Sequence, residues 1–286
     1  MNKLSFTKGY YIFTRIFIII AIIIILFPLV WMLSLSLRDN NYIYEAYGFL
    51  IPKYFTFENY GDAFNFFNTV IEASFFRLFF NSAVVTGGAL FMTILVSILA
   101  SYAFSNFKFR LGNITYLTLI ISIMIPSQIL VIPLYYLFSK LGLINNLLSL
   151  IIAYTAFGIP VSILILTSFF KSIPKELKDS AAIDGASDFT YLLKIVLPLS
   201  KAAIATCVIF LFLFFWNEFL LANIFLSKNF LKTVPAGMSL IVGSRYAIPW
   251  GTYAAAVNIS IIPVVIIFII FQKWFIEGVT LGALKG

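Results

Sequence analysis

Six apolar stretches, each long enough to cross the hydrocarbon core of a bilayer, dominate what this chain can fold into, because a spanning helix needs about twenty residues. They cover residues 16–37, 78–107, 111–139, 141–170, 202–227 and 246–272. Pro126 and Pro133 interrupt the third, and Glu218 is the only clear acid in the fifth. Lipid offers backbone groups no hydrogen-bonding partner, so such stretches must satisfy their own peptides as helices. The expected fold class is an all-α integral membrane protein with six transmembrane helices, forming one domain over 1–286 that contains the loop 171–201.

Composition closes off the soluble alternative. The chain is 62% hydrophobic and 10% charged, against about half and about a quarter in an ordinary soluble domain. So few charges cannot coat that much apolar surface. The first apolar run follows Lys3, Lys8 and Arg15 like a signal peptide, but it is too long for one and lacks a small-x-small cleavage site, so it reads as a retained span. The phenylalanine-rich stretch 64–80 is interrupted by Glu72 and Arg77, which predicts an amphipathic helix lying at the interface rather than a seventh span. Pro160 and Pro263, like Pro126 and Pro133, bend spans or their ends by removing a backbone donor.

The net charge of +8 comes from scattered lysines and arginines that form no basic stripe with interleaved aromatics, which excludes nucleic acid and leaves lipid headgroups and topology as their use. Counting them in alternate loops puts twelve of the 19 on the side of the N-terminus and of loop 171–201. The remaining seven, Lys53 and Lys232 among them, share the other side with the acids Asp39, Glu45, Glu58, Asp62 and Glu72. Both termini and that loop are therefore expected in the cytoplasm of a bacterial or archaeal cell. With one cysteine, Cys207, and no histidine, an intrachain disulfide, a cysteine-rich metal cage and histidine catalysis are excluded. No catalytic or metal-ligating residue is identified, and no cofactor is expected on this chain.

The loop 171–201 is the most charged segment. Pro174 can start a helix, Glu176 and Asp179 suit its first turns, and Gly185 can break it with a left-handed residue. A second helix over 187–196, with an apolar stripe of Phe189, Leu192, Leu193 and Val196, is ended by Pro198. Asp184 either caps that second helix or makes a polar contact outside the chain.

The run Asp179-Ser180-Ala181-Ala182-Ile183-Asp184-Gly185, followed by Ile195-Val196-Leu197-Pro198, resembles the Glu-Ala-Ala loop of ABC importer permeases. Their pattern is Glu-Ala-Ala, three residues, glycine, nine residues, then Ile-x-Leu-Pro. The spacing agrees; Asp179 stands for glutamate and Ser180 for alanine. The likeness extends through Phe55-Thr56-Phe57-Glu58-Asn59-Tyr60, Asn81-Ser82, Ile125-Pro126, Ile132-Pro133-Leu134-Tyr135, Ile173-Pro174-Lys175-Glu176-Leu177, Trp216-Asn217-Glu218-Phe219 and the tail from Gly278 to Gly286. It points to the carbohydrate-uptake branch and its smaller six-span permease of maltose-type systems. The resemblance implies that Glu176, Asp179, Ser180, Ala181, Asp184, Gly185, Ala186 and Pro198 belong to a coupling loop seated on an ATPase. It also implies a heterodimer with a second permease, two ATPase subunits holding ATP and Mg, and an extracytoplasmic sugar-binding protein. The chain itself has no Gly-x-x-x-x-Gly-Lys-Ser/Thr loop for phosphates, so by that route it binds no ATP.

Trp216, Asn217 and Glu218 are placed at the translocation path or the permease interface, since a carboxylate in lipid is costly; the alternative for Glu218 is a structural hydrogen bond beside Asn217. A secondary transporter using Glu218 for ion coupling is the competing function, although one carboxylate lacks relay partners and no inverted repeat is visible. A membrane enzyme would need paired carboxylates or metal ligands that the spans do not offer.

Overall fold

The computed structural model describes residues 3–43, 50–242 and 248–283, with side chains for all of these except 3–9, 70–71 and 277–283. Tyr246, the expected start of the sixth span, lies outside the described residues, as do Glu45, Arg245, Lys285 and the last three residues of the tail motif. Among the described residues the chain is helical, with no β structure beyond one isolated bridge between Arg38 and Phe55. The α-helices are α1 (Lys3–Ser36), α2 (Glu58–Ile71), α3 (Phe75–Asn106), α4 (Gly112–Ser122), α5 (Val131–Lys140) and α6 (Leu147–Phe170). They continue as α7 (Lys175–Ile183), α8 (Asp188–Tyr191), α9 (Leu197–Leu199), α10 (Lys201–Trp216), α11 (Leu220–Phe225), α12 (Val234–Val242) and α13 (Trp250–Ala283).

Four stretches are long and apolar enough to cross a membrane singly, namely Tyr10–Ser36, Phe75–Asn106, Leu147–Phe170 and Trp250–Ile276. Two bent pairs bring the number to as many as six if each counts as one span: Gly112–Ser122 with Ser127–Lys140, bent by 95°, and Asp188–Leu199 with Lys201–Trp216, bent by 74°. The third apolar stretch is therefore a sharp elbow. Pro126 sits at its break, whereas Pro133 falls in the first turn of α5, where a missing N–H costs no helical bond.

Other boundaries differ from the sequence reading for local reasons. The fourth span starts at Leu147 rather than 141, because Gly142 and Asn145 take positive φ and Asn146 caps the helix by accepting from the Leu148 N–H. The fifth stretch is not one helix: α10 stops at Trp216 and α11 begins at Leu220. No interfacial helix covers 64–80; α2 ends at Ile71, Glu72 turns the chain at φ 53°, and α3 starts at Phe75. Pro198 does not end the second loop helix either. A π-helical turn over Leu192–Val196 widens the backbone just before it, and the break comes two residues later at Ser200.

By internal contacts the chain forms two compact units, Met1–Val70 with Val242–Ile261, and Ile71–Ile241 with Ile262–Gly286. The first is joined by a polar staple. Buried Asn59 donates to the carbonyls of Ser36 and Arg38, and its Oδ1 accepts from Asn40 Nδ2 at 2.8 Å. Asn40 in turn accepts from the Gly251 N–H at 2.9 Å. The end of α1, the start of α2 and the start of α13 thus share one hydrogen-bonded knot.

In the second unit α3 and α6 pack most extensively, with α10 against both. Gly158 lets them close up: a Cβ there would stand 2.8 Å from Phe215 Cζ and 2.9 Å from Thr93 Cγ2. Val85, Ala89, Leu150, Tyr154, Leu211 and Phe215 form the heart of that core. At one end Asn81 Nδ2 donates to the carbonyls of Phe230 and Lys232, and Ser82 Oγ accepts from the Val234 N–H at 2.8 Å. Lys232 is 4% exposed and donates to the Asn223 carbonyl and Oδ1. Burial lowers its pKa from the usual lysine value.

Candidate functional site

The charged loop folds as two short arms around Gly185. Helix α7 has Glu176 in its first turn, where a negative charge meets the exposed amides. Its far end is closed by a left-handed glycine cap. Gly185 has φ +76°, its N–H reaches the Ala182 carbonyl, and the Ala186 N–H reaches the Ala181 carbonyl at 2.9 Å. Ala181 and Ala186 meet in the same apolar cluster, as the residues on either side of such a cap do. The spacing of small residues before the glycine is thus a capping requirement.

Ser187, not Asp184, caps the second arm, its Oγ accepting from the Thr190 N–H at 3.2 Å. Asp184 is the exposed C-cap residue of α7, so the capping role considered for it is ruled out. Ser200 closes the second arm, with its N–H and its hydroxyl both on the Val196 carbonyl.

What holds the arms to the spans was not read from sequence. Lys178 Nζ lies 3.0 Å from Asp188 Oδ1, and the Tyr102 hydroxyl donates to the same oxygen at 2.9 Å. Lys178 also faces the Phe107 ring at 5.1 Å. The Lys178 hydrogen bond, and after it that of Tyr102, hold the Asp188 carboxyl below its ordinary pKa against the opposing effect of burial. Opposite charges ten residues apart on either side of a glycine turn were the available signal. Beneath this clamp Ala181, Tyr191, Leu192 and Val196 pack on Tyr102, Leu166, Phe170 and Cys207, so the loop rests on the ends of α3, α6 and α10.

The knob also presents exposed apolar side chains. Ile183 is 86% exposed and Phe189 61%, with Leu193 also exposed. Glu176, Asp179, Ser180, Gly185 and Pro198 are also exposed, whereas Ala181 is buried.

Trp216, Asn217 and Glu218 lie at the other end of α10. Trp216 is buried, stacked on Phe212 and edge-on to Phe79. Asn217 returns its amide to the Leu213 carbonyl at 2.8 Å. Glu218 accepts from the Tyr154 hydroxyl and from the N–H groups of Leu221 and Ala222, capping α11 and tying the break to α6. Its carboxylate is occupied by protein donors, the Tyr154 hydroxyl and the α11 backbone, which is a structural hydrogen-bonding role.

Residues 93–280 match the family described as binding-protein-dependent transport system inner membrane component. The chain is 36% identical over 266 residues to the sulfoquinovosyl glycerol transport system permease protein SmoH of Agrobacterium fabrum, covering 91% of this chain and 89% of that one. It is 35% identical over 269 residues to the trehalose/maltose transport system permease protein MalG of Thermococcus litoralis, covering 94% of each. A chain of a bacterial ABC transporter involved in the import of alginate shares its fold, with a TM-score of 0.79 at 20% identity over 94% of this chain and 97% of that one.

Proposed function

This chain belongs to the family of binding-protein-dependent transport inner-membrane components and is a permease subunit of an ABC importer; from that premise we propose that it carries a sugar or oligosaccharide and that loop 171–201 is where a separate ATPase seats. The substrates in its relatives' names, trehalose or maltose and sulfoquinovosyl glycerol, support the cargo class. The fold is that of a type I importer permease. The partners in this proposal are a second permease completing the path, two ATPase subunits that hold ATP and Mg, and an external binding protein. Both termini and the loop face the cytoplasm.

The observation that carries the coupling role is a knob packed onto three spans that presents an exposed apolar face. Exposed Ile183 and Phe189 stand on arms clamped to three spans, so a push on the knob moves those spans rather than bending the loop. Glu218 as an ion-coupling group finds no such support, because its oxygens cap α11 and hold Tyr154. The test is Ile183→Glu, which alters a side chain outside the core. The variant is expected to insert and pair with its sister permease, while co-purification of the ATPase falls at least about tenfold, as for a central interface anchor. Wild-type ATPase recovery and wild-type hydrolysis with loaded binding protein would remove the loop from the coupling role.

A further inference from the structure

Beside the knob, between its first arm and the α3–α4 connection, lies a cavity of about 770 Å³. That is within the size range of small-ligand sites. Lys108, Arg110, Lys171, Lys175 and Lys178 line it, and Asp179 is its one acid. Five cations less one acid gives +4, half of the formal net charge of +8 for the whole chain. Lys178 is paired with Asp188. Among the described residues no carboxylate pairs with the other four.

Concentrating cations in one hollow costs repulsion unless an anion enters it. The location says which anion. The cavity lies where α3 ends at Asn106 and α6 at Phe170, so two spans leave the apolar layer at its walls. Its rim is aromatic, with Phe104 5.7 Å from Phe109 and 5.5 Å from Tyr116, and Lys171 over the Tyr116 ring at 5.3 Å. Basic pockets beside spanning helices with aromatic belts are sites for phospholipid headgroups.

We propose that this cavity binds the phosphate of an anionic phospholipid headgroup, with the rings of Phe104, Phe109 and Tyr116 against its glycerol and upper acyl carbons. Lys108 and Arg110 come from the α3–α4 connection, Lys171 from the end of α6, and Lys175 from α7, so one phosphate bridges three segments at the base of the knob. The proposal is independent of the coupling role and requires only that the chain span a membrane.

The full-length chain is placed in phosphatidylcholine nanodiscs with and without phosphatidylglycerol, extracted into detergent, and its retained lipid read by native mass spectrometry. Wild type is expected to keep phosphatidylglycerol. A variant with Lys108→Gln, Arg110→Gln and Lys171→Gln is expected to keep at least about tenfold less, given roughly fivefold per removed cation. A control with Lys194→Gln, Lys201→Gln and Lys273→Gln, which removes equal charge outside the cavity, is expected to retain it like wild type. Equal loss in the control, or equal retention in the cavity variant, overturns the site. Saturable binding of soluble glycerol phosphate in pure phosphatidylcholine, with no phosphatidylglycerol retained, overturns the lipid source and assigns the phosphate to a soluble ester. In a parallel co-purification from the assembled transporter, loss of the ATPase by the cavity variant with unchanged phosphatidylglycerol retention makes the cavity a protein contact, and the proposal fails.

Discussion

Single residues explain why short motifs in this chain are what they are. Asn59 is buried because its amide joins two carbonyls at the end of α1 to Asn40, and Asn81 because its amide joins the carbonyls of Phe230 and Lys232. Replacing Glu218 by leucine strands the N–H groups of Leu221 and Ala222 and the Tyr154 hydroxyl in a largely apolar setting. At about 1–3 kcal/mol for a stranded buried donor, Glu218→Leu should lower thermal stability in detergent by ~2 kcal/mol or more, and Glu218→Gln, which keeps an acceptor, by clearly less. Equal melting of the two variants would refute the capping role. At Gly185 no atom lies within 4 Å of a would-be Cβ, so only the φ of +76° penalises a side chain. Gly185→Val should therefore cost more than about 1 kcal/mol in backbone strain, and Gly185→Asn much less, because asparagine tolerates the left-handed region. In the assembled complex the valine variant is expected to lose ATPase recovery and substrate-stimulated hydrolysis, with the asparagine variant close to wild type in both.

The spanning helices were legible as apolar runs, and the breaks at Pro126 and Gly185 with them, but the breaks after Trp216 and at Ser200 were not. An apolar run fixes that a helix exists, but α10 gives way to α11 because Glu218 caps the new start with partners on α6 and on the chain ahead. Pro198 misled for the same reason, since a π-helical turn upstream accommodates the ring and a serine two residues on makes the bend. Likewise the glycine of the loop was legible, whereas the clamp that seats the loop joins Tyr102 to Asp188 across 86 residues. That clamp has a pH signature. A carboxyl whose pKa is lowered in the folded chain contributes stability above its ordinary value, here 3.8, and loses it as pH falls through the lowered one. Hydrogen-exchange protection of residues 175–199, taken relative to the intrinsic rate at each pH, should therefore hold through neutral pH and fall only in acid below about 4. Asp188→Asn should exchange faster at neutral pH and show no further acid step, and an unchanged acid step in that variant would count against the clamp.

For the whole molecule, the order of spans and the fold class were readable from hydropathy, while sidedness rests on loop charge and is tested by labelling. In a Cys207→Ser background, cysteines at 53 and 228 should react with an impermeant thiol reagent outside intact cells, and one at 184 only after lysis. Outside labelling of residue 184 would invert the topology. Residue 232 is unsuitable as a reporter, because its side chain is 4% exposed whichever side it is on. The bend of 74° at Ser200 has a mechanical consequence. At 1.5 Å per residue, the segment Asp188–Leu199 is an arm of about 18 Å and α10 an arm of about 24 Å, so the two form a bell crank pivoting near Ser200. If a partner swings the shorter arm, whose tip moves about 3 Å in about ten degrees, the Trp216 end of the longer one sweeps roughly 4 Å, a gain of about 1.3. The crank enlarges travel by about a third, so a stroke the partner delivers at the knob arrives somewhat longer at the break before α11.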